Sequence, residues 1–223
     1  MHYSDVFDPT RIGDLQLECM QRACRQYPYH DRTAAYDEMM LDPEAIRFLR
    51  DLRSGKQVTA EAVGKILVHF LIRWHSRLSN DITVAESLLG PLYKIAPAVA
   101  KIPILYDITY MHVEEIKPVF ECLDEIDGIG GTTASKILSV LKPETFVMWD
   151  IPIAEYYGFD RNSVGYCHFM LLMHGYALRL RELTRAKSTT PEEYLCASDR
   201  KWKPTIAKLL DEWNWVSITQ AAD

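Results

Sequence analysis

Glycine and proline are scarce in this chain, 10 and 11 of 223 residues. That is too few for a linker-rich chain or an all-β protein built on tight turns. No apolar run reaches the length of a membrane span, so no transmembrane helix is expected. The opening Met1-His2-Tyr3-Ser4-Asp5 has no basic region leading into an apolar stretch, and no secretory signal is expected there. Five cysteines (Cys19, Cys24, Cys122, Cys167 and Cys196) form no C-x-x-C pair. The odd number and the spacing argue against a disulfide framework or a four-cysteine zinc site and fit a reducing cytoplasm. Only Cys196 lies beyond residue 167, so a C-terminal iron–sulfur loop would lack its four ligands. The seven histidines (His2, His30, His69, His75, His112, His168 and His174) make no H-x-x-x-H or H-E-x-x-H pattern, and zinc is not expected. Neither a G-x-x-x-x-G-K-[ST] phosphate loop nor a G-x-S-x-G nucleophile elbow occurs.

What is present is an ordinary globular composition, 48% hydrophobic and 25% charged. Residues 1–223 read as a single helical domain with enough chain for a substantial core. The net charge of −6 is unpromising for a nucleic-acid partner, but its distribution is uneven. Residues 160–208 carry nine lysines and arginines against five acids, whereas residues 61–159 carry eight against thirteen. A DNA-binding protein needs a basic face rather than a basic total. Arg179, Arg181, Arg185, Lys187, Arg200, Lys201 and Lys203 could form such a rim, or simply a solvated helix surface.

The dominant period is helical. Val63, Ile66, Leu67, Phe70, Leu71, Trp74 and Leu78 step by three and four along one face, as do Phe169, Leu172, Met173, Tyr176, Leu180 and Leu183. Asp42-Pro43 reads as a cap followed by a first-turn proline. Thr83 with Glu86, and Thr190 with Glu193, read as capping boxes. Lys203-Pro204 opens a last helix ending near Trp215, and Trp202, Trp213 and Trp215 read as core anchors for it. Ile104–Tyr110 has strand character but no partner. The expectation is an all-α protein of about nine to eleven helices.

The most informative segment runs from 114 to 141. Pro118 reads as the start of a short helix. Ile126-Asp127-Gly128-Ile129-Gly130 then joins it to a second helix that buries Ala134, Ile137, Leu138 and Leu141. A very tight turn between helices calls for residues that tolerate positive φ and close backbone approach, which is glycine. Ile126 and Ile129 fill the space between the helices. The turn exposes backbone N–H groups at the start of the second helix, where the dipole favours a phosphate oxygen. Gly128, Ile129, Gly130, Gly131 and Thr132 are therefore candidate DNA-backbone-binding residues. Contacts of this kind carry no base preference. Residues 142–158 follow as a loop and helix, with Asp150 at the position of an N-cap.

This segment resembles the helix-hairpin-helix motif, and with Asp150 the resemblance extends to the HhH-GPD superfamily of base-excision DNA glycosylases. Val147-Met148-Trp149-Asp150-Ile151-Pro152-Ile153 is similar to the family's Val-Pro-Val-Asp-x-x-Val, with Met148 in place of a proline. Asp150 falls twenty residues after Gly130, close to the family spacing. The resemblance covers mainly residues 114–158. It implies a two-lobed helical fold, duplex and damaged DNA as the partner, and a catalytic role for Asp150. That role is to stabilise the cationic sugar as the glycosidic bond breaks, or to activate water. A carboxylate at a helix N-terminus is expected to stay ionised. A flipped base needs an aromatic or apolar pocket, for which Trp149, Tyr156, Tyr157 and Tyr166 are the nearby candidates. The resemblance also implies a monovalent cation held by the backbone carbonyls of Asp124, Ile126 and Ile129. Strand-cleaving members carry a lysine where Thr132 stands here. Lys136, one helical turn on, is expected to face elsewhere. A monofunctional glycosylase without lyase chemistry is the reading that follows, with a location in the cytoplasm, or nucleoid or nucleus when bound to DNA. Two alternatives stay open: a non-catalytic helix-hairpin-helix module that recognises lesions, and a helical scaffold whose glycines serve packing alone.

Overall fold

A computed structural model describes residues 8–27 and 31–219, apart from the side chains of residues 31–33. The opening five residues, His2 and His30 lie outside it. The described residues are helical, with no strand: α1 Asp14–Gln26, α2 Asp31–Leu41, α3 Pro43–Arg53, α4 Ala60–Ala62, α5 His69–Arg73, α6 Ile82–Lys101, α7 Val113–Asp124, α8 Gly131–Leu141, α9 Ile151–Tyr156, α10 Ser163–Arg185, α11 Pro191–Leu195 and α12 Ile206–Asn214. The all-α expectation is met. No helix among the described residues is long and apolar enough to cross a membrane.

Short polar side chains start these helices by accepting an orphan backbone N–H. Asp42 caps α3, with Pro43 in the first turn. Thr190 and Glu193 form the expected capping box of α11. Three boundaries differ from the sequence reading. The cap of α6 is Asp81, to which the Thr83 N–H donates at 3.1 Å, so Thr83 lies inside the helix. The last helix opens at Ile206 behind Thr205. Pro118 lies inside α7 rather than at its start.

The predicted amphipathic face at 63–78 is helical only to Arg73. Residues Val63–Val68 are wound as a π-helix that joins α4 to α5. Beyond Arg73 the chain turns sharply. The His75 N–H donates to the Ile72 carbonyl and the Ser76 N–H to that of Leu71, while His75 takes a φ of 59°. This is the Schellman end of a helix, with histidine in the left-handed position that glycine usually fills. The strand-like stretch Ile104–Tyr110 is instead two 3-10 turns, Leu105–Asp107 and Tyr110–His112. The Leu105 N–H donates to the Glu144 carbonyl, and Leu105 and Ile108 are buried. With no neighbouring strand to pair with, the segment satisfies its backbone in short turns and through distant groups such as the Glu144 carbonyl.

The buried apolar side chains form one contiguous cluster that runs through α1, the central helices and α12. A compact ionic group is set into it. Arg200 pairs with Asp37 at 2.6 and 2.8 Å and with Glu212 at 2.9 Å. Lys208 donates to Asp211 at 2.6 Å and to the Tyr27 hydroxyl at 3.1 Å. Arg200, read from the sequence as part of a basic rim, has a side chain only 3% exposed. The rest of that rim is also spent elsewhere or dispersed. Arg179 donates to the Ile12 carbonyl and to Glu182, Arg181 covers the Tyr106 ring, and Lys187 pairs with Asp14.

Removing one member of a buried ion pair leaves its partner charged and unpaired, which costs about 3–5 kcal/mol. Arg200→Met should therefore lower the unfolding free energy measured in urea by an amount of that order. Substituting the exposed Lys201 in the same way should leave it within about 0.5 kcal/mol of the parent.

Candidate functional site

The hairpin follows α7 directly. The Ile129 N–H donates to the Ile126 carbonyl at 2.8 Å, which closes the turn, and the Ile129 side chain is buried under it. Gly128 takes a φ of 80°, so the positive-φ requirement read from the sequence falls on this glycine. Gly130 does not share it. Its φ is −87°, and a Cβ there would meet no atom within 4 Å. Gly130 is the N-cap of α8 and supplies no side-chain cap. The first N–H groups of that helix, at Gly131 and Thr132, thus lack the side-chain acceptor that Asp42, Asp81 or Asn162 gives other helices. Packing explains Gly131, where a Cβ would stand 3.2 Å from the Phe120 ring. It gives no reason for glycine at 130. The space over it is open.

Beside the hairpin lies a cavity of about 760 Å³, within the ~300–1,000 Å³ usual for small-molecule sites. One side is the hairpin itself, Gly128 and Gly130 to Thr133 with Lys136. A second is the loop and helix start from Met148 to Pro152, with Ala154. The third is the turn Trp74–Arg77, with Tyr27 and Trp215 closing the interior and Arg161 at the edge. Asp150 and Trp149 therefore stand in the same cavity as Gly128, Gly130, Gly131 and Thr132. Ile129 lies beneath it. Tyr156 and Tyr157 are not part of its lining. Tyr156 is 56% exposed, and Tyr157 is buried with its hydroxyl donating to Asn214 at 2.6 Å and its ring against Phe169. A buried tyrosine needs such a partner for its hydroxyl, and α12 supplies it away from the cavity. Tyr166 is likewise core: its hydroxyl donates to the Val147 carbonyl at 3.0 Å, which holds the strand-like run ahead of Asp150 in place.

Lys136 departs from the sequence reading. It does not face away. It is 6% exposed, lines the cavity, donates through Nζ to the Trp74 carbonyl and lies 5.4 Å from the centre of the Trp74 ring. Its ammonium thereby ties α8 to the Trp74–Arg77 turn across the site. The basic side chains at the cavity edge are Arg77 and Arg161, neither of which the sequence singled out. No local pattern marks them, since they enter from 50 residues before the hairpin and from the far side of α9.

Asp150 caps α9 by accepting the Ile153 N–H at 3.0 Å. Its carboxyl is less acidic than an ordinary aspartate. Burial pushes its pKa up, the charge of Asp211 adds to the rise, and the Ile153 N–H and the Lys136 ammonium only partly offset it. Among the described residues, no three histidine, cysteine, aspartate or glutamate side chains are grouped so as to hold a metal ion. Compared with family models, curated proteins and solved structures, the chain has no match.

The two hairpin glycines should separate in a melting experiment. Gly128→Ala forces a left-handed Cβ and should cost about 1–2 kcal/mol. Gly130→Ala should stay within about 0.5 kcal/mol of the parent, because a weaker cap is balanced by a stiffer unfolded chain.

Asp150 yields a second test. A carboxyl whose pKa is higher folded than unfolded binds more protons in the native state, so stability falls as pH rises through the window between the two values and stays lower above it. Asp150→Asn keeps a capping side chain without the buried charge. It should melt higher than the parent at neutral pH, and the difference should fade as pH drops to the ordinary aspartate range. A lower melting temperature for the variant at neutral pH would contradict the assignment.

Proposed function

We propose that this chain is a DNA-binding protein of base-excision-repair type that contacts duplex backbone through Gly128–Thr132 and hydrolyses the N-glycosidic bond of a damaged base with Asp150. The observation that carries the reading is the shared cavity. An uncapped helix N-terminus with open space over Gly130 borders the same hollow as a half-buried carboxylate and several aromatic rings. A phosphate held at the Gly131 and Thr132 N–H groups would place the adjoining nucleotide at its mouth. Arg77 and Arg161 at the edge offset a net charge that is otherwise negative. Helices α2–α7 would then form one lobe of an HhH-GPD-like fold, and α1 with α10–α12 the other.

The direction of the Asp150 shift bears on its role. A carboxylate whose pKa is raised is a stronger base, better suited to take a proton from attacking water than one of ordinary acidity. Water would add at the anomeric carbon as the base departs with the bonding electron pair, and Asp150 would hold the water's proton. Lys136 is engaged as a hydrogen-bond donor to the Trp74 carbonyl, so its part is to hold the cavity wall and its charge rather than to attack the sugar. That keeps the chemistry monofunctional. The Ile126 carbonyl is already an acceptor within the turn, but a carbonyl oxygen has a second lone pair. Together with those of Asp124 and Ile129, it would hold a monovalent cation that stiffens the hairpin.

The test uses a panel of duplexes, each with one lesion. Binding should weaken steeply with salt, since phosphate contacts release counterions, and Gly130→Ala should weaken it at unchanged stability. Base release by the parent should be lost in Asp150→Asn, and borohydride should trap no protein–DNA adduct. Base release that survives Asp150→Asn, or an adduct on Lys136, would refute the catalytic assignment. Tight lesion binding with no release from any duplex would instead favour the non-catalytic module.

A further inference from the structure

The wall opposite the hairpin is made by Trp74 to Arg77, and it contains a polar group that the fold leaves unsatisfied. Ser76 is 8% exposed, lines the cavity, and its hydroxyl has no hydrogen-bond partner. A buried hydroxyl without a partner costs about 1–3 kcal/mol, and a small apolar residue would avoid that cost. The Schellman turn at His75 brings Ser76 to this position, with its own N–H spent on the Leu71 carbonyl. Two residues away, the Trp74 carbonyl anchors the Lys136 ammonium. The hydroxyl and the cation thus belong to the same wall.

The cavity's rings carry a second constraint. Lys208 lies 4.5 Å from the centre of Tyr27 and 5.1 Å from that of Trp74, and Lys136 lies 5.4 Å from the latter. On Tyr27 and Trp74 the protein's own cations already use the electron-rich faces that would bind a cationic ligand, and Lys136 adds repulsion inside the cavity. A positively charged, alkylated base is therefore a poor occupant. A neutral planar ring whose edge carries a carbonyl oxygen suits both the cation and the hydroxyl.

From these features we infer that the cavity selects a neutral, carbonyl-bearing nucleobase, such as a deaminated or oxidised purine, over a cationic one, and that Ser76 reads its edge. The inference deepens the proposed function and rests on that reading for its biological setting, but it can be tested without DNA. Three purine nucleosides differ at the relevant edge: inosine with a carbonyl, adenosine with an amino group, and 1-methyladenosine with a positive charge. Quenching of tryptophan fluorescence reports their binding, since Trp74, Trp149 and Trp215 line the cavity.

Inosine should bind most tightly and 1-methyladenosine most weakly, with a gap of at least about ten-fold. Ser76→Ala should weaken inosine roughly five-fold, the equivalent of one ordinary hydrogen bond, while melting no lower than the parent because an unsatisfied group has been removed. A merely structural serine would show neither opposed effect. Equal binding of inosine and 1-methyladenosine overturns the selectivity, and unchanged inosine affinity in Ser76→Ala overturns the role of the serine. Absence of quenching by all three overturns the inference as a whole. Duplexes carrying the same bases separate this from the parent reading. Nucleoside selectivity without salt-dependent duplex binding removes the DNA assignment and keeps the cavity's, whereas duplex binding that ignores the base does the reverse.

Discussion

The arrangement around the cavity depends on a lysine sealed inside an aromatic box. Lys208 is 3% exposed and faces the rings of Tyr27, Tyr36 and Trp74. Burial lowers its pKa, but Asp211, Tyr27 and Glu212 outweigh that and hold the ammonium charged. Arg200 completes the group by bridging Glu212 to Asp37 on α2. A cluster of this kind contributes little net stability relative to a well-packed apolar core. It does demand one arrangement, because any shift of α12 against α1 and α2 strands a charge. Tyr27 and Trp74, held by that lysine, are also walls of the cavity.

The cavity is consequently a place where electrostatic cost has been retained. Asp150 is half-buried near another carboxylate, Lys136 is buried and donates to a main-chain carbonyl, and the Ser76 hydroxyl has no partner. Each would be cheaper as an apolar or exposed group. Folded proteins carry such costs mainly where binding or chemistry needs them, and here three converge on one hollow beside a helix start that lacks a side-chain cap. Packing accounts for Gly131 and the left-handed backbone for Gly128, whereas Gly130 is an N-cap with open space around it.

Much of the local structure was legible in the chain. Helical periodicity and the caps at Asp42, Asp150 and Thr190 depend on neighbours within four residues, and the structure keeps them. The hairpin's glycines and the cap position of Asp150 belong to the same short-range grammar. The misreadings also have local causes. Ile104–Tyr110 has β-branched and aromatic residues, yet a strand needs a partner that the sequence does not show. Thr83 fits a capping box, but Asp81 lies nearer the true start and takes the bond. Arg200 looks like one basic residue among several until Asp37, 163 positions away, is brought to it.

The sequence by itself determined an all-helical chain with a glycine hairpin and a capping aspartate, because those features are set by interactions a few residues long. Tertiary structure decided which groups share a site. Lys136 could not be assigned to the cavity from its place on a helix, since its direction depends on the Trp74 carbonyl, which arrives from a different turn. Ser76, Arg77 and Tyr27 join Asp150 only through packing of distant segments. The rise in the pKa of Asp150 comes from burial by those segments, which no local pattern encodes.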